Sequence, residues 1–245
     1  MKVGQKIFRY DSLTSTNEVL KELAQDGFEP GIVVIGGIQT KGRGRLDRTW
    51  ESPEGGLWLS VLMDATPVFH DNKFGVIPLM ASCAVARSIT ALTELEARVK
   101  WPNDVLINGR KTCGILGEIL DLEKGLAIIG IGINVNNSVR EGYDFSPVST
   151  SIHEEVGREV SLEELEHVLL DELDRRAVQI TEGSSDDILE EWRSLSDTLG
   201  RNVRITTTTC EIVGIAKDID ENGSLIVDTD DREVTVLAGD CEHLE

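Results

Sequence analysis

The sequence predicts an α+β protein: a mixed β-sheet backed by helices over residues 1–199, followed by a small β-barrel domain over residues 200–245. Three observations carry this expectation. The apolar runs GIVVIGGI (31–38) and GLAIIGIGI (125–133) are too short to span a bilayer and read as buried strands. Tight-turn signals, Asn108-Gly109 and EKG at 123–125, join neighbouring strands directly, so the sheet is expected to be largely antiparallel or mixed. After Gly200 the pattern switches to short strands divided by turn residues: VRITT, CEIVGIA, SLIVDT and EVTVL.

The elements follow in order. IFRY (7–10) is a short strand. Thr14-Ser15-Thr16-Asn17-Glu18 carries a capping-box pattern, with Ser15 as N-cap and Glu18 three residues on, which starts a helix running to about Asp26. Strands are expected at 31–38 and at LWLSVLM (57–63). A long helix spans about Gly75 to Leu95, where Ala81, Ser82, Ala84 and Ala86 permit close packing on the sheet. ARVKW, DVLI, CGILGEIL and LAIIGIGINV supply the next strands. A second capping box, SLEE at 161–164, opens a helix whose stripe is Leu162, Leu165, Leu169, Leu173, Ala177 and Ile180. A further helix is expected from about Ser185 to Leu199, ending at Gly200.

Composition narrows the function classes. The 44 acidic residues against 24 basic ones give a formal net charge of −20, dispersed along the chain, which disfavours a nucleic-acid partner. Self-repulsion at that charge opposes the compact state unless salt screens it, so a salt-rich cytosol is the expectation, with an acidic face for a basic partner as the alternative. No apolar leader or cleavage pattern opens the chain, so a cytoplasmic location is expected, with no membrane partner. Four dispersed cysteines without a CxxC pair, and four histidines without metal spacing, argue against a zinc site or a disulfide framework. Each cysteine is expected to be a small buried residue in a reducing compartment.

Against this acidic background, KGRGRLDR at 41–48 places four cations in eight residues. Glycines let a backbone approach a ligand closely and arginine forks suit phosphate or carboxylate, so the loop is a candidate anion site. It is neither a GxGxxG dinucleotide turn, because Asp47 stands at the third glycine position, nor a GxxxxGK[ST] phosphate loop. Downstream, a two-residue turn at Asn108-Gly109 would pair Ile107 with Arg110, Leu106 with Lys111 and Asp104 with Cys113. Asp104, Leu106, Lys111 and Cys113 would then share one face. A cation and a carboxylate beside an anion loop suit attack of a substrate carboxylate on the α-phosphate of ATP, where charge neutralisation is the main requirement. Lys111 and Arg45 are the candidate catalytic residues, with Mg²⁺ on the pyrophosphate and the loop as a cover that excludes water.

Taken together, STN at 15–17, Gln39-Thr40, GRGR at 42–45 with Arg48 and Trp50, KWPND at 100–104, RKTCGIL at 110–116 and GIGINVN at 130–136 resemble the biotin protein ligases along nearly the whole chain. The resemblance implies the class II synthetase-like biotin/lipoate ligase fold, a seven-stranded mixed sheet with an SH3-like C-terminal domain. It also implies the reaction of biotin and ATP to biotinyl-5′-AMP, followed by transfer to a lysine of a biotin carboxyl carrier protein. By the same resemblance Ser15, Thr16, Asn17 and Gln39 contact the ureido end and body of biotin. Arg43, Gly44 and Arg45 cover the adenylate, Trp50 stacks near it, and Arg48 belongs to the same nucleotide-binding set. Lys111 holds the biotin carboxylate and α-phosphate, and Gly114 lines the biotin pocket. Asn103 and Asp104 organise phosphate and Mg²⁺, with Asp104 the candidate metal ligand, and Asn134 lies at the nucleotide. Leu46 and Asp47 depart from the basic residue and glycine of many relatives. Homodimers are frequent in the family, and one subclass adds an N-terminal winged-helix repressor domain; here the first catalytic strand is expected near residue 6, which leaves no room for it. A lipoate-protein ligase and a non-catalytic nucleotide-binding module are the alternatives.

Overall fold

A computed structural model describes residues 2–139 and 149–244. Among them, β1 (Lys6–Leu13), β2 (Ile32–Gln39), β3 (Leu57–Asp64), β4 (Ala97–Lys100), β5 (Asp104–Ile107), β6 (Arg110–Asp121) and β7 (Leu126–Ile133) form a seven-stranded sheet in the order β1-β2-β3-β7-β6-β5-β4. β1 and β2 run parallel, joined by the crossover helix α1 (Thr16–Gln25), and the other pairs are antiparallel. The mixed sheet expected from the turn signals is thus present.

Side chains alternate along a strand, so each strand faces two environments. On one face Val33, Ile35, Leu59, Val61, Ile115, Ile129 and Ile131 enter the main core. That core is closed by α3 (Val76–Thr93), α5 (Leu162–Thr181) and α6 (Ser185–Leu195). α3 is long and apolar enough to cross a membrane by composition alone, but most of it is buried inside the molecule, as a core helix enclosed by neighbours requires. On the other face Ile32, Val34, Leu62 and Ile128 pack with Leu13 and Leu20 under α1. α1 covers only this part of the face. Further along, the same alternation presents Ser60 and Gly130 beneath the first residues of α1, and Gly132 with its β6 partner Gly114 beyond them.

Several elements depart from the sequence expectation. α6 stops at Leu195, not Leu199, because Ser196 turns extended and bridges Val99 while the Asp197 amide donates to Val99 O (2.8 Å). The sheet edge at β4 takes up a backbone that continued helix would have kept to itself. Ser15 is the N-cap of α1 by backbone geometry, yet its side chain makes no capping bond, whereas Ser161 does cap α5 by accepting from the Glu164 amide (3.2 Å). The short helices α2 (Thr66–His70) and α4 (Ile152–Val156) are too brief to show a period in the sequence.

The chain ends in a second sheet of β8 (Asn202–Thr206), β9 (Glu211–Ile219), β10 (Leu225–Asp228), β11 (Glu233–Val236) and β12 (Asp240–His243), ordered β11-β10-β9-β8-β12 and antiparallel throughout. Four of these strands are those expected; β12, with the polar sequence DCEH, has no apolar alternation to announce it. This sheet is seated on the catalytic layer. Trp101 Nε1 donates to Gly223 O (3.1 Å), and Arg193 donates to Asp218 Oδ1 and Ile219 O (both 2.7 Å).

Candidate active site

A cavity of about 770 Å³ opens over the part of the sheet that α1 leaves bare. Its floor follows from strand register. Lys100, Asp104, Gly114 and Gly132 oppose one another in a row across β4, β5, β6 and β7. Glycine is required at the centre of the row because the Trp50 indole lies on it. A Cβ on Gly132 would stand 2.4 Å from Trp50 Nε1, and one on Gly114 would stand 3.0 Å from its ring. At Gly130 a Cβ would meet Asn17 Oδ1 at 2.3 Å. These glycines make room for side chains that arrive from α1 and from the loop, and Gly114 takes the cavity-lining place expected for it.

The β5–β6 hairpin turns at Asn108-Gly109 with both residues at positive φ (52° and 74°), as a tight primed turn needs. Ile107 pairs with Arg110 and Leu106 with Lys111 as expected, but a bulge then shifts the register. Gly114, not Cys113, opposes Asp104, and Cys113 opposes Val105 within the main core. The expectation that Cys113 shares the face of Lys111 is therefore wrong: the extra residue, Thr112, reverses the sides that follow it. The bulge leaves Lys111 and Asp104 together, with Nζ 2.7 Å from Asp104 Oδ1 and both side chains largely buried. Lys111 Nζ also stands 5.2 Å from the Trp50 ring centroid. A compact cation fixed between a carboxylate and an aromatic face is held in place before any ligand arrives.

At the α1 end, Ser15, Thr16 and Asn17 are all buried and line the cavity. Gln39 Oε1 accepts from the Thr16 amide (2.8 Å) and its Nε2 donates to Ser52 Oγ (2.8 Å), which ties the helix start to the segment after the loop. Asn17 accepts from Ser60 Oγ through Oδ1 and donates to Glu118 Oε2 (2.6 Å) through Nδ2, so its amide orientation is set on both sides. Glu118 also receives Lys21 (3.0 Å) and Arg43 (3.5 Å), and Glu18 is engaged by the same two cations. Glu18 therefore serves the loop rather than a capping box, which corrects the sequence expectation.

The other arginines of the loop turn away from Arg43. Arg45 donates to Asn103 Oδ1 (2.9 Å) and to Gly239 O (3.0 Å) in the second sheet, while Asn103 Nδ2 donates to Ile115 O (2.8 Å). Burial draws the Arg45 pKa below its usual range, opposed by the nearby carboxylates of Asp240 and Asp104. Arg48 pairs with Asp240 at the exposed rim. Gly44 lines the cavity with its amide on Arg48 O (2.7 Å). Leu46 and Asp47 both adopt left-handed backbone (φ 54° and 58°), and Leu46 projects into solvent, 61% exposed. Asn134 is buried at the cavity wall, where its Oδ1 accepts from Asn137 Nδ2 (3.1 Å).

All the expected site residues thus line one cavity, together with Lys100, which the sequence offered only as part of KWPND, and the second-sheet residues Asp240 and Cys241, which it did not indicate; Ser60 and Glu118, also not indicated, hold Asn17 from behind the lining. Glu118 was in principle visible from alternation, because it lies on the Gly114 side of β6. The cysteines divide: Cys83 and Cys113 are buried, whereas Cys210 is exposed and Cys241 half-buried at the cavity, contrary to the uniform burial expected. Burial pushes the Cys241 thiol up to about 12, so it is not a nucleophile at neutral pH. No cluster of three or more metal-ligating side chains occurs among the described residues.

Residues 9–136 match the sequence profile of the Biotin/lipoate A/B protein ligase family, and residues 198–244 match that of the Biotin protein ligase C terminal domain. The chain is 34% identical over 245 residues to the Bifunctional ligase/repressor BirA of Bacillus subtilis (strain 168), covering 98% of this chain and 74% of that one. It is 34% identical over 238 residues to the Biotin--[acetyl-CoA-carboxylase] ligase of Mycobacterium tuberculosis, covering 94% and 86%. The solved biotin protein ligase from Aquifex aeolicus in complex with biotin and ATP superposes with a TM-score of 0.84 at 28% identity, over 98% of this chain and 99% of that one. Sequence match, relatives covered over most of their length and superposed fold agree, and the chain belongs to the biotin/lipoate A/B protein ligase family.

Proposed function

We propose that the cavity activates biotin with ATP and passes the biotinyl group to a lysine of a biotin carboxyl carrier protein; the chain is a biotin protein ligase. The observation that carries the reading is Lys111, fixed by Asp104 over a glycine floor, with a polar chamber at the α1 end on one side and the arginine loop on the other. The relative solved with both biotin and ATP supports two ligands in one site of this shape.

In the first step a biotin carboxylate oxygen bonds to the α-phosphorus, the bond to the β-phosphate bridging oxygen breaks, and pyrophosphate leaves with that electron pair. Two anions must meet, and Lys111 answers that repulsion from a desolvated position, where a charge acts more strongly than in water. Ser15, Thr16, Asn17 and Gln39 hold the ureido end and body of biotin, Thr16 and Gln39 pre-ordered by their own hydrogen bonds and Asn17 by Ser60 and Glu118. Arg43, Gly44 and Arg45 form the cover, and Arg48, Trp50, Asn103 and Asn134 hold the nucleotide. In the second step the carrier lysine amine attacks the acyl carbon and AMP leaves.

Mg²⁺ fits as a companion of the nucleotide. Asp104 offers a carboxylate on the cavity floor, its Oδ1 facing Lys111 Nζ at 2.7 Å, and Mg²⁺ would take its remaining ligands from phosphates and water. When bound it neutralises phosphate charge. The net charge of −20 supports a site without a nucleic-acid partner, and the dispersed cysteines support a reducing, cytoplasmic setting. The test is transfer: with biotin, MgATP and a carrier domain, one carrier lysine is expected to gain a biotinyl group, and lipoate should give none. Labelling by lipoate but not biotin would overturn the reading.

A further inference from the structure

Behind the α1 end of the cavity stands a carboxylate that forms no part of its lining. Glu118 lies between Leu116 and Leu120 on the α1 side of β6, opposite Ile128 of the smaller apolar cluster, and its side chain is 19% exposed. A carboxylate in such a face is costly unless its oxygens are engaged. Here the two oxygens divide. Oε2 accepts from Asn17 Nδ2 at 2.6 Å, whereas Oε1 faces Lys21 Nζ at 3.0 Å and Arg43 Nη2 at 3.5 Å. Asn17 and Lys21 are about one helical turn apart, so α1 presents both to the same residue.

The bond to Asn17 decides which way its amide faces. The amide is held against Gly130, where a Cβ would stand 2.3 Å from Oδ1 and 3.2 Å from Nδ2. Two arrangements remain, related by exchange of the amide oxygen and nitrogen. Ser60 suits either, because a hydroxyl can donate to Oδ1 or accept from Nδ2. The inverted amide would even complete the neighbouring row of hydroxyls. Thr16 Oγ1 donates to Gln39 Oε1 (3.1 Å), and Ser60 Oγ, 2.7 Å from Thr16 Oγ1, would give its one proton there while accepting from Asn17. A carboxylate permits no such exchange, since it only accepts. Glu118 therefore holds Nδ2 toward itself, and an amide nitrogen carries two hydrogens. One is taken; the second has no partner among the described residues, and Asn17 lines the cavity. We propose that Glu118 is a positioning residue for biotin: by fixing the Asn17 amide it makes Asn17 a donor to the ureido oxygen and selects a ligand with an acceptor at that place. This deepens the proposed function and rests on it.

In Glu118→Gln the side-chain oxygen is drawn to Lys21 and Arg43, which leaves its NH2 group facing Asn17 and inverts that amide. Biotin affinity, measured by calorimetry, should fall about tenfold or more, with KM for ATP within about twofold of wild type. Iminobiotin, whose guanidinium offers N–H donors in place of the ureido oxygen, should bind wild type poorly, and its affinity relative to biotin should rise in the variant. An effect exerted through Asn17 is non-additive, so Glu118→Gln combined with Asn17→Ala should bind biotin no more weakly than Asn17→Ala alone. Lys21→Met removes a partner of Glu118 that does not line the cavity, and should leave biotin affinity near that of wild type. Additive losses, or an equal loss in Lys21→Met, would show that the charge cluster serves only the fold and would overturn the assignment. A further readout needs no biotin. The Asn17 side-chain amide signals in a heteronuclear NMR spectrum, identified by their loss in Asn17→Ala, should shift in unliganded Glu118→Gln; unchanged signals would overturn the assignment even in a proven biotin ligase. Wild type that binds no biotin would instead sink the ligase reading and the ureido ligand with it, while the shift would still show Glu118 setting the amide. If Gln is not tolerated, Glu118→Leu, matched to its apolar neighbours Leu116 and Leu120, serves in the same assays.

Discussion

Lys111 acts through where its neighbours hold it. Asp104 fixes the ammonium at 2.7 Å and Trp50 flanks it, so the charge is in position before the substrates bind. Removing a preorganised electrostatic group of this kind costs about 10²–10³ in rate. Lys111→Ala should therefore lower biotinyl-adenylate formation by that order while the protein remains folded. Lys111→Arg should recover little, because a planar fork does not fit the place of a compact ammonium beside Asp104. Near-normal adenylation by folded Lys111→Ala would remove the residue from the mechanism. The pairing of these two residues was legible in the sequence, since Asn108-Gly109 sets the hairpin and alternation does the rest. The bulge at Thr112 was not: a register shift of this kind carries no turn residue to mark it. Glu118 was legible only through alternation on β6, and Lys100 only as the first residue of KWPND.

At the scale of elements, the 40–50 loop is anchored at two ends of unequal strength. Arg48 and Asp240 form a rim pair with Arg48 63% exposed, an arrangement worth under about 1 kcal/mol. Arg45 is better buried and donates two hydrogen bonds from a charged group, each worth about 1.5–3 kcal/mol. Arg45 is therefore the stronger tie between loop and second sheet, and its loss should let the loop open over a reactive intermediate. Arg45→Gly should release biotinyl-5′-AMP early and label bystander lysines more than wild type, read by blotting a mixed-protein reaction. Equal labelling would show that the loop does not retain the adenylate. The loop announced itself through its charge. Its partner did not, because β12 is polar and lies more than 190 residues away.

Across the whole molecule, the layers were legible because apolar alternation on the strands and the 3.6-residue stripe of α5 are local signals. The seating of the second sheet on Trp101 and α6 was not, since it depends on single long-range contacts such as Trp101 to Gly223. Charge acts at the same scale. A net −20 repels itself, and raising ionic strength shortens the Debye length from about 10 Å at 0.1 M to about 3 Å at 1 M. We expect the melting temperature and the ligase activity both to rise between dilute buffer and molar KCl. Binding should suffer little, because Arg45 and Lys111 act through close, partly desolvated contacts. A flat or falling melting curve would refute the salt adaptation and leave the enzymology intact. The enzymology rests on one half-reaction that needs no carrier. Exchange of labelled pyrophosphate into ATP should depend on biotin, fall away when lipoate replaces it, and be lost in Lys111→Ala; exchange that ignores biotin, or prefers lipoate, would contradict the account at its centre.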